Sequence, residues 1–266
     1  MKKALQLFSV RDDMEKDVLE TFKKVKEIGY DGVELAGLYG HSAEEIIEYA
    51  RQTGLEIISA HEGISGLEND DVLKMYAKIG VKYVVIPSTP FDVNVNIPSI
   101  SAAAERIKKI GESCKKHGLQ LLFHNHFCEF DKIDGKAAID YLFESVDKEL
   151  LGAQLDTAWV NQVGINPVGA MEKYSDRNPI VHIKDCIGRK TDICPFGYKD
   201  VPENEIPEFS FMPIGQGMVN IGNIIENFRE RNMDWVIVEQ DGVTKGKNEM
   251  QCAEESGKYS AEGFNI

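Results

Sequence analysis

Apolar residues along this chain recur in two alternating rhythms. Short apolar runs read as strands at about Ala4–Phe8, Gly32–Leu35, Glu56–Ala60, Tyr83–Pro87, Gln120–His124, Ala153–Asp156, Ile180–Lys184 and Val236–Glu239. Between them, apolar positions fall three or four residues apart, the spacing of one helix face. Val18, Phe22, Val25 and Ile28 make one such stripe, and Ile100, Ala103, Ile107, Ile110 and Cys114 make another. Local signals bound the helices. Ser42 with Glu45 fits a capping box ahead of Ile46 and Ile47. Pro98 opens the long fourth helix, where its missing N–H costs little. Gly29, Gly54, Gly80 and Gly118 each follow a stripe and precede a strand, the place of a helix C-terminal glycine. His117 falls in such a last turn, where the helix dipole favours positive charge.

Eight β–α units in 266 residues predict a single parallel (β/α)8 TIM barrel domain over residues 1–266. A doubly wound sheet would carry a glycine-rich turn after its first strand, and here that strand runs into Ser9-Val10-Arg11-Asp12-Asp13. The stretch from Ile187 to Gly217 breaks the rhythm, with Pro195, Pro202, Pro207 and Pro213 and little helical period. In a barrel it would lie beside the strand-end rim, so it reads as a candidate lid.

Composition narrows the partners. The chain is 42% hydrophobic and 28% charged, an ordinary globular mix. A net charge of −14, from 30 basic and 44 acidic residues, repels phosphate backbones and argues against nucleic acid. Five cysteines without C-x-x-C spacing, and an N-terminus that turns charged too early for a signal h-region, predict reduced thiols in a cytoplasm. No apolar run approaches the ~18 residues that span a membrane. Homo-oligomerisation stays open.

Strand ends distant in sequence meet on one rim of a closed parallel barrel. Asp156, His182 and Glu239 end strands six, seven and eight. Carboxylate, imidazole and carboxylate together are donors for a divalent metal. Each residue also has a bland alternative. Asp156 precedes Thr157-Ala158-Trp159 and could cap that turn. His61, His124, His126 and His182 all fall at strand ends, yet any single one could be a hydrogen-bonded structural histidine, and for His61 both readings stay open. His182 and Lys184 share strand parity, so both face one side. Inside a barrel such a pair is costly unless a metal, a substrate or a counter-charge satisfies it, and an ion pair is the structural reading of Lys184. Glu239 has poor strand propensity and no capping role, and Glu34 in GVELAG is a weaker version of the same signal. Within His124-Asn125-His126, one parity faces the lumen while the strand stays regular. Either the strand ends before His126 or one histidine is structural. Three adjacent residues do not make the nuclease module that shares those letters.

In order, the segments LQLFSVRDD, GYDGVEL, ISAHEG, LLFHNHFCEF, LDTAWV, HIKD, a GQG turn and VEQDG resemble the xylose-isomerase-like barrel superfamily, in its sugar phosphate isomerase/epimerase branch. The resemblance implies a divalent metal (Mn²⁺, Mg²⁺, Co²⁺ or Zn²⁺) and chemistry on hydroxy-ketone carbons of small carbohydrates. Epimerases of the superfamily hold the metal with Glu, Asp, His and Glu from strands five to eight. Asp156, His182 and Glu239 match three of these, while Phe123 stands where the first glutamate is expected. Glu129 matches a substrate-contacting glutamate six residues beyond that position, and Trp159 replaces a histidine three residues after the aspartate. The His-Asn-His segment instead resembles inosose dehydratase-like members.

The site so implied has a metal on Asp156, His182 and Glu239, with a fourth ligand from His126, Glu129 or water. His124, His126 or Glu239 would move the α-proton, and Lys184 would add positive charge near an enediolate oxygen. Glu129, Glu34, His61 and Trp159 would contact the carbohydrate; Trp159 and Phe8 would form an apolar wall against a sugar ring, with core packing the first reading of Phe8. The expected function is a metal-dependent sugar (phosphate) isomerase or epimerase on a small keto/aldo carbohydrate, working through an enediolate. The alternative is a metal-dependent lyase or dehydratase on a keto-sugar or keto-inositol. An abasic-site endonuclease shares the superfamily fold but needs a basic DNA track, and a non-catalytic carbohydrate-binding barrel is a further reading. No P-loop or nicotinamide fingerprint supports phosphoryl or hydride transfer.

Overall fold

The computed structural model describes residues 1–91 and 96–264. Each of the eight apolar runs forms a strand: β1 (Lys2–Gln6), β2 (Gly32–Ala36), β3 (Glu56–His61), β4 (Tyr83–Ile86), β5 (Gln120–His124), β6 (Gly152–Asp156), β7 (Ile180–Ile183) and β8 (Trp235–Val238). All pair in parallel, each with its neighbours in sequence, and Lys2 opposite Trp235 through Leu5 opposite Val238 closes the ring. Between the strands and after the last lie helices α1 (Val18–Ile28), α2 (Ala43–Thr53), α3 (Asp70–Ile79), α4 (Ile97–Lys116), α5 (Ala138–Ser145), α6 (Pro167–Lys173), α7 (Ile221–Glu230) and α8 (Glu249–Phe264). This is a (β/α)8 barrel.

The local signals act as expected. Both arms of the Ser42–Glu45 capping box are formed. Gly29, Gly54 and Gly80 end their helices in the left-handed region. Pro98 sits in the first turn of α4, and His117 at its end pairs with Asp70 at 2.6 Å. One boundary shifts. Strand β1 ends at Gln6 because Leu7–Val10 winds into a 3-10 turn, capped by the Gln6 side chain accepting from Phe8 N–H. That turn puts Phe8 at the rim, 42% exposed, rather than in the core.

The apolar residues divide into two sets. One packs between sheet and helices, with Phe22, Val33, Ile107, Leu142 and Ile225 among its members. The other is a plug inside the barrel: Ala4, Ile58, Tyr83, Val85, Leu122, Ile180 and Ile237. Burying such a side chain contributes roughly 1.5–3 kcal/mol. Side chains two apart on a strand share a face. Two positions beyond Ala4, Leu122, Ile180 and Ile237 stand Gln6, His124, His182 and Glu239, all buried. The plug is therefore a floor, and a polar layer lies on it.

The segment read as a candidate lid is tied to the barrel by a ribbon and side-chain hydrogen bonds. Asp185–Ile187 pairs antiparallel with Ser210–Met212 to make a two-stranded ribbon. Gln162 and Asn161, just after β6, hold the loop. Gln162 donates to Gly188 O (3.1 Å) and accepts from Lys190 N (2.8 Å), and Asn161 donates to Phe196 O (2.9 Å). At its base the Asp185 carboxylate accepts from the N–H groups of Cys186, Gly215, Gly217 and Val219. Gly217 is required there, because a Cβ would come 2.1 Å from Asp185 Oδ1. Among the described residues no helix is long and apolar enough to cross a membrane.

Candidate metal centre and active-site cavity

Four side chains of the polar layer converge above the plug. One ligand atom from each of His124, Asp156, His182 and Glu239 lies within 4.8 Å of the others. The strand register brings them together, since Asp156 is opposite His182 across β6–β7, and Ile237, two before Glu239, is opposite His182 across β7–β8. Asp156 caps the turn and also turns one oxygen to the cluster. Its Oδ1 caps the turn after β6, accepting from Ala158 N and Trp159 N, while its Oδ2 faces the cluster.

Hydrogen bonds set the protonation states. Gln154 Nε2 donates to Glu34 Oε2 at 2.6 Å, which leaves Gln154 Oε1 as acceptor for His124 Nδ1 (3.2 Å) and His61 Nε2 (2.8 Å). Burial, then the neighbouring His182 charge, hold His124 well below the usual histidine range, so it is neutral. Its Nε2 lone pair then points toward Asp156 Oδ2 and Glu239 Oε2, at 3.8 and 4.0 Å. His182 differs. Burial lowers its pKa, but Glu34 on Nε2 (2.6 Å) and Glu239 on Nδ1 (2.8 Å) outweigh that and raise it to about 10.

This donor set fits a divalent ion. An imidazole lone pair and two carboxylate oxygens converge, and the Lys184 ammonium that meets both carboxylates at 2.9 Å leaves the His124 lone pair without a partner there. No donor is aligned for a hydrogen bond to Asp156 Oδ2, although Lys184 Nζ lies 2.9 Å away. Neutral imidazole with carboxylate suits Zn²⁺, Mn²⁺ or Co²⁺. Glu34 on Nε2 is the outer carboxylate that would orient His182 as a ligand through Nδ1, once Nδ1 gives up the proton it shares with Glu239.

A cavity of about 490 Å³ opens beside the cluster, lined by His61, His124, His126, Glu239 and Asp241, with Phe8, Ala36, Gly37 and Pro87 among its outer residues. Several residues read as ligands or substrate contacts lie elsewhere. Strand β5 ends at His124, so His126 turns into the cavity and stands outside the four-donor group; the fourth donor is His124. Among the described residues nothing hydrogen-bonds the His126 ring, which meets only the His124 and Trp159 rings, at 5.2 and 5.8 Å. Glu129 is buried, accepting from His126 N–H at 2.8 Å and from Thr89, so it positions that turn. Glu34 is buried under His61 and His182, bonded also by Gln6 and Ser59. Trp159 is covered by Phe127, Phe209 and Phe211, and backs His126 and Lys184 instead of the cavity. Lys184 is fully buried and reaches Asp156, Glu239 and Asp241 at 2.8–2.9 Å, which is the ion-pair reading. The sequence reading missed Gln6, Gln154 and Asp241. Parity could have found them, since Gln154 is two before Asp156 and Asp241 two after Glu239.

A parallel barrel with a metal-competent imidazole–carboxylate cluster at its C-terminal rim defines a class of barrel enzymes. The chain belongs to the xylose isomerase-like TIM barrel family, whose model matches residues 22–260. It is 25% identical over 162 residues to an inosose dehydratase of Clostridium beijerinckii (strain ATCC 51743 / NCIMB 8052), a match covering 60% of this chain and 53% of that protein. The chain thus spans about half the length of that relative. In fold it is similar to a sugar phosphate isomerase/epimerase from Parabacteroides distasonis ATCC 8503 (TM-score 0.80, 20% identity, 97% of each chain). It is also similar to the IOLI protein with a bound zinc atom (TM-score 0.72, 15% identity, 98% of this chain and 97% of that one).

Proposed function

We propose that this protein is a metal-dependent isomerase or epimerase that removes a proton from the carbon beside a carbonyl of a small carbohydrate. The observation that carries the reading is the unbonded His126 imidazole, facing the cavity beside the four-donor cluster. A divalent ion held by His124, Asp156, His182 and Glu239 would supply Lewis-acid polarisation of a substrate oxygen. The protein's own groups do the rest. His126 Nδ1 or Nε2 takes the α-proton, since neither ring nitrogen is engaged by another described residue and the ring faces the cavity. Glu129 fixes the backbone of that turn, and Trp159 packs behind the ring. Lys184 places an ammonium beside Asp156 and Glu239 that favours negative charge developing nearby.

Elimination of water is the second reading, favoured by the inosose dehydratase relative. Both begin with the same proton abstraction and differ in what leaves afterwards. The test is exchange of the α-proton in deuterium oxide, followed by product mass. Isomerisation conserves mass, and dehydration loses one water. His126→Ala should lower exchange about 10²-fold or more while metal content stays unchanged. Exchange at the normal rate in that variant would remove His126 from the chemistry.

A further inference from the structure

A fully buried ammonium stands among the oxygens that would hold a metal. Lys184 Nζ lies 2.9 Å from Asp156 Oδ2 and 2.9 Å from Glu239 Oε2. These are the two oxygens that the His124 Nε2 lone pair faces. An ammonium and a divalent ion thus contend for one pair of carboxylates. With those two acceptors alone, the ammonium would close on both, since charge-assisted N–H···O bonds are the strongest it can form there.

A third carboxylate draws it away. Lys184 Nζ donates to both oxygens of Asp241, at 2.9 and 2.8 Å. Asp156 Oδ2 is left without an aligned donor, and Glu239 Oε2 is hydrogen-bonded to His182 Nδ1 instead. Asp241 stands outside the four-donor group. It lines the cavity, and its side chain is 23% exposed where those of Asp156 and Glu239 are 0% and 5%. The Trp159 and Phe211 rings lie 5.4 and 5.9 Å from Nζ, within cation–π range, and help to hold the ammonium where Asp241 places it. Three carboxylates around one ammonium leave an excess of two negative charges, which a divalent ion matches.

We infer that Asp241 is a positioning residue for the metal. It takes the hydrogen bonds of Lys184 and keeps the ammonium from closing on Asp156 and Glu239, whose oxygens stay open to a divalent ion. Lys184 is then a competitor of the metal that Asp241 restrains. This rests on the metal reading of the cluster and adds what governs its affinity.

The experiment is calorimetric titration of chelator-stripped protein with Mn²⁺ at fixed pH and ionic strength. Wild type is compared with Asp241→Asn, Lys184→Met and the double variant, each checked by far-UV circular dichroism. Asp241→Asn should weaken Mn²⁺ binding about tenfold or more. Lys184→Met should tighten it about tenfold. In the Lys184→Met background, Asp241→Asn should cost no more than about threefold, because the ammonium it restrains is gone. The same cost in both backgrounds means that Asp241 acts by its own charge, which overturns the inference and keeps the metal site. Lys184→Met that binds no tighter than wild type overturns it as well. Lys184→Gln takes the place of Lys184→Met if that variant does not fold. A Mn²⁺-loaded crystal structure of the wild type reads the same point without a variant. Lys184 Nζ should still hold both Asp241 oxygens, and an ammonium found away from Asp241 overturns the inference. Absence of Mn²⁺ binding in wild type and in the Lys184 variants removes the metal site and the inference together.

Discussion

Single residues in this site are defined by which atom faces what. Asp156 divides its two oxygens between a helix cap and the cluster. His124 and His126, two apart in sequence, differ because one still belongs to a strand and the other does not. Glu34 is the residue whose reading changed most. It is an acceptor for Gln6, Ser59, Gln154, His61 and His182, and it never reaches the cavity. The charges on His61 and His182 outweigh its burial and hold it well below the usual carboxylate range. Removing an outer carboxylate of this kind typically lowers metal affinity about 10–100-fold. Glu34→Gln should therefore weaken Mn²⁺ binding by that factor in a titration, with far-UV circular dichroism unchanged. Unaltered affinity would make Glu34 a purely structural acceptor.

Among elements, the ribbon after β7 depends on one buried acid. Burial pushes the Asp185 carboxyl up to about 6, against four backbone N–H donors that favour the ionised form. Its unfolded value is about 3.9. A raised acid pKa means that the folded state holds the proton more tightly. The associated stability is complete below about pH 4 and lost as pH rises through about 6, amounting to about 3 kcal/mol. Asp185→Asn cannot titrate. Denaturant unfolding in chelator should show the stability difference between wild type and Asp185→Asn shifting by about that amount across the window, in favour of the variant as pH rises. A constant difference from pH 4 to 7 would mean the hydrogen bonds cancel the burial.

For the whole molecule, metal and fold are linked through the rim. Asp156, His182 and Glu239 come from three strands and His124 from a fourth, so an ion bound to all four favours the closed barrel. Ligand at 100 times its dissociation constant stabilises a fold by about 2.7 kcal/mol. Mn²⁺ or Zn²⁺ should raise the melting temperature, a chelator should reverse it, and His182→Ala should abolish the response. A melting temperature indifferent to both would leave the cluster as an ion network closed by Lys184.

The order and type of the elements were legible because strand and helix periods are local properties of the chain. So was the meeting of Asp156, His182 and Glu239, since a parallel barrel gathers its strand ends whatever lies between them. Partner identity was not. Whether His124 or His126 faces the cluster turned on where β5 stops pairing, and Phe8 left the core because Gln6 capped a 3-10 turn. Glu34 was drawn under His182 by ring closure, which sets strands β2 and β7 across one lumen. Trp159 was claimed by two phenylalanines from the ribbon, about fifty residues downstream. The sequence determines the face on which each side chain stands. The partner it meets there depends on register, closure and loop placement, which only the assembled barrel decides.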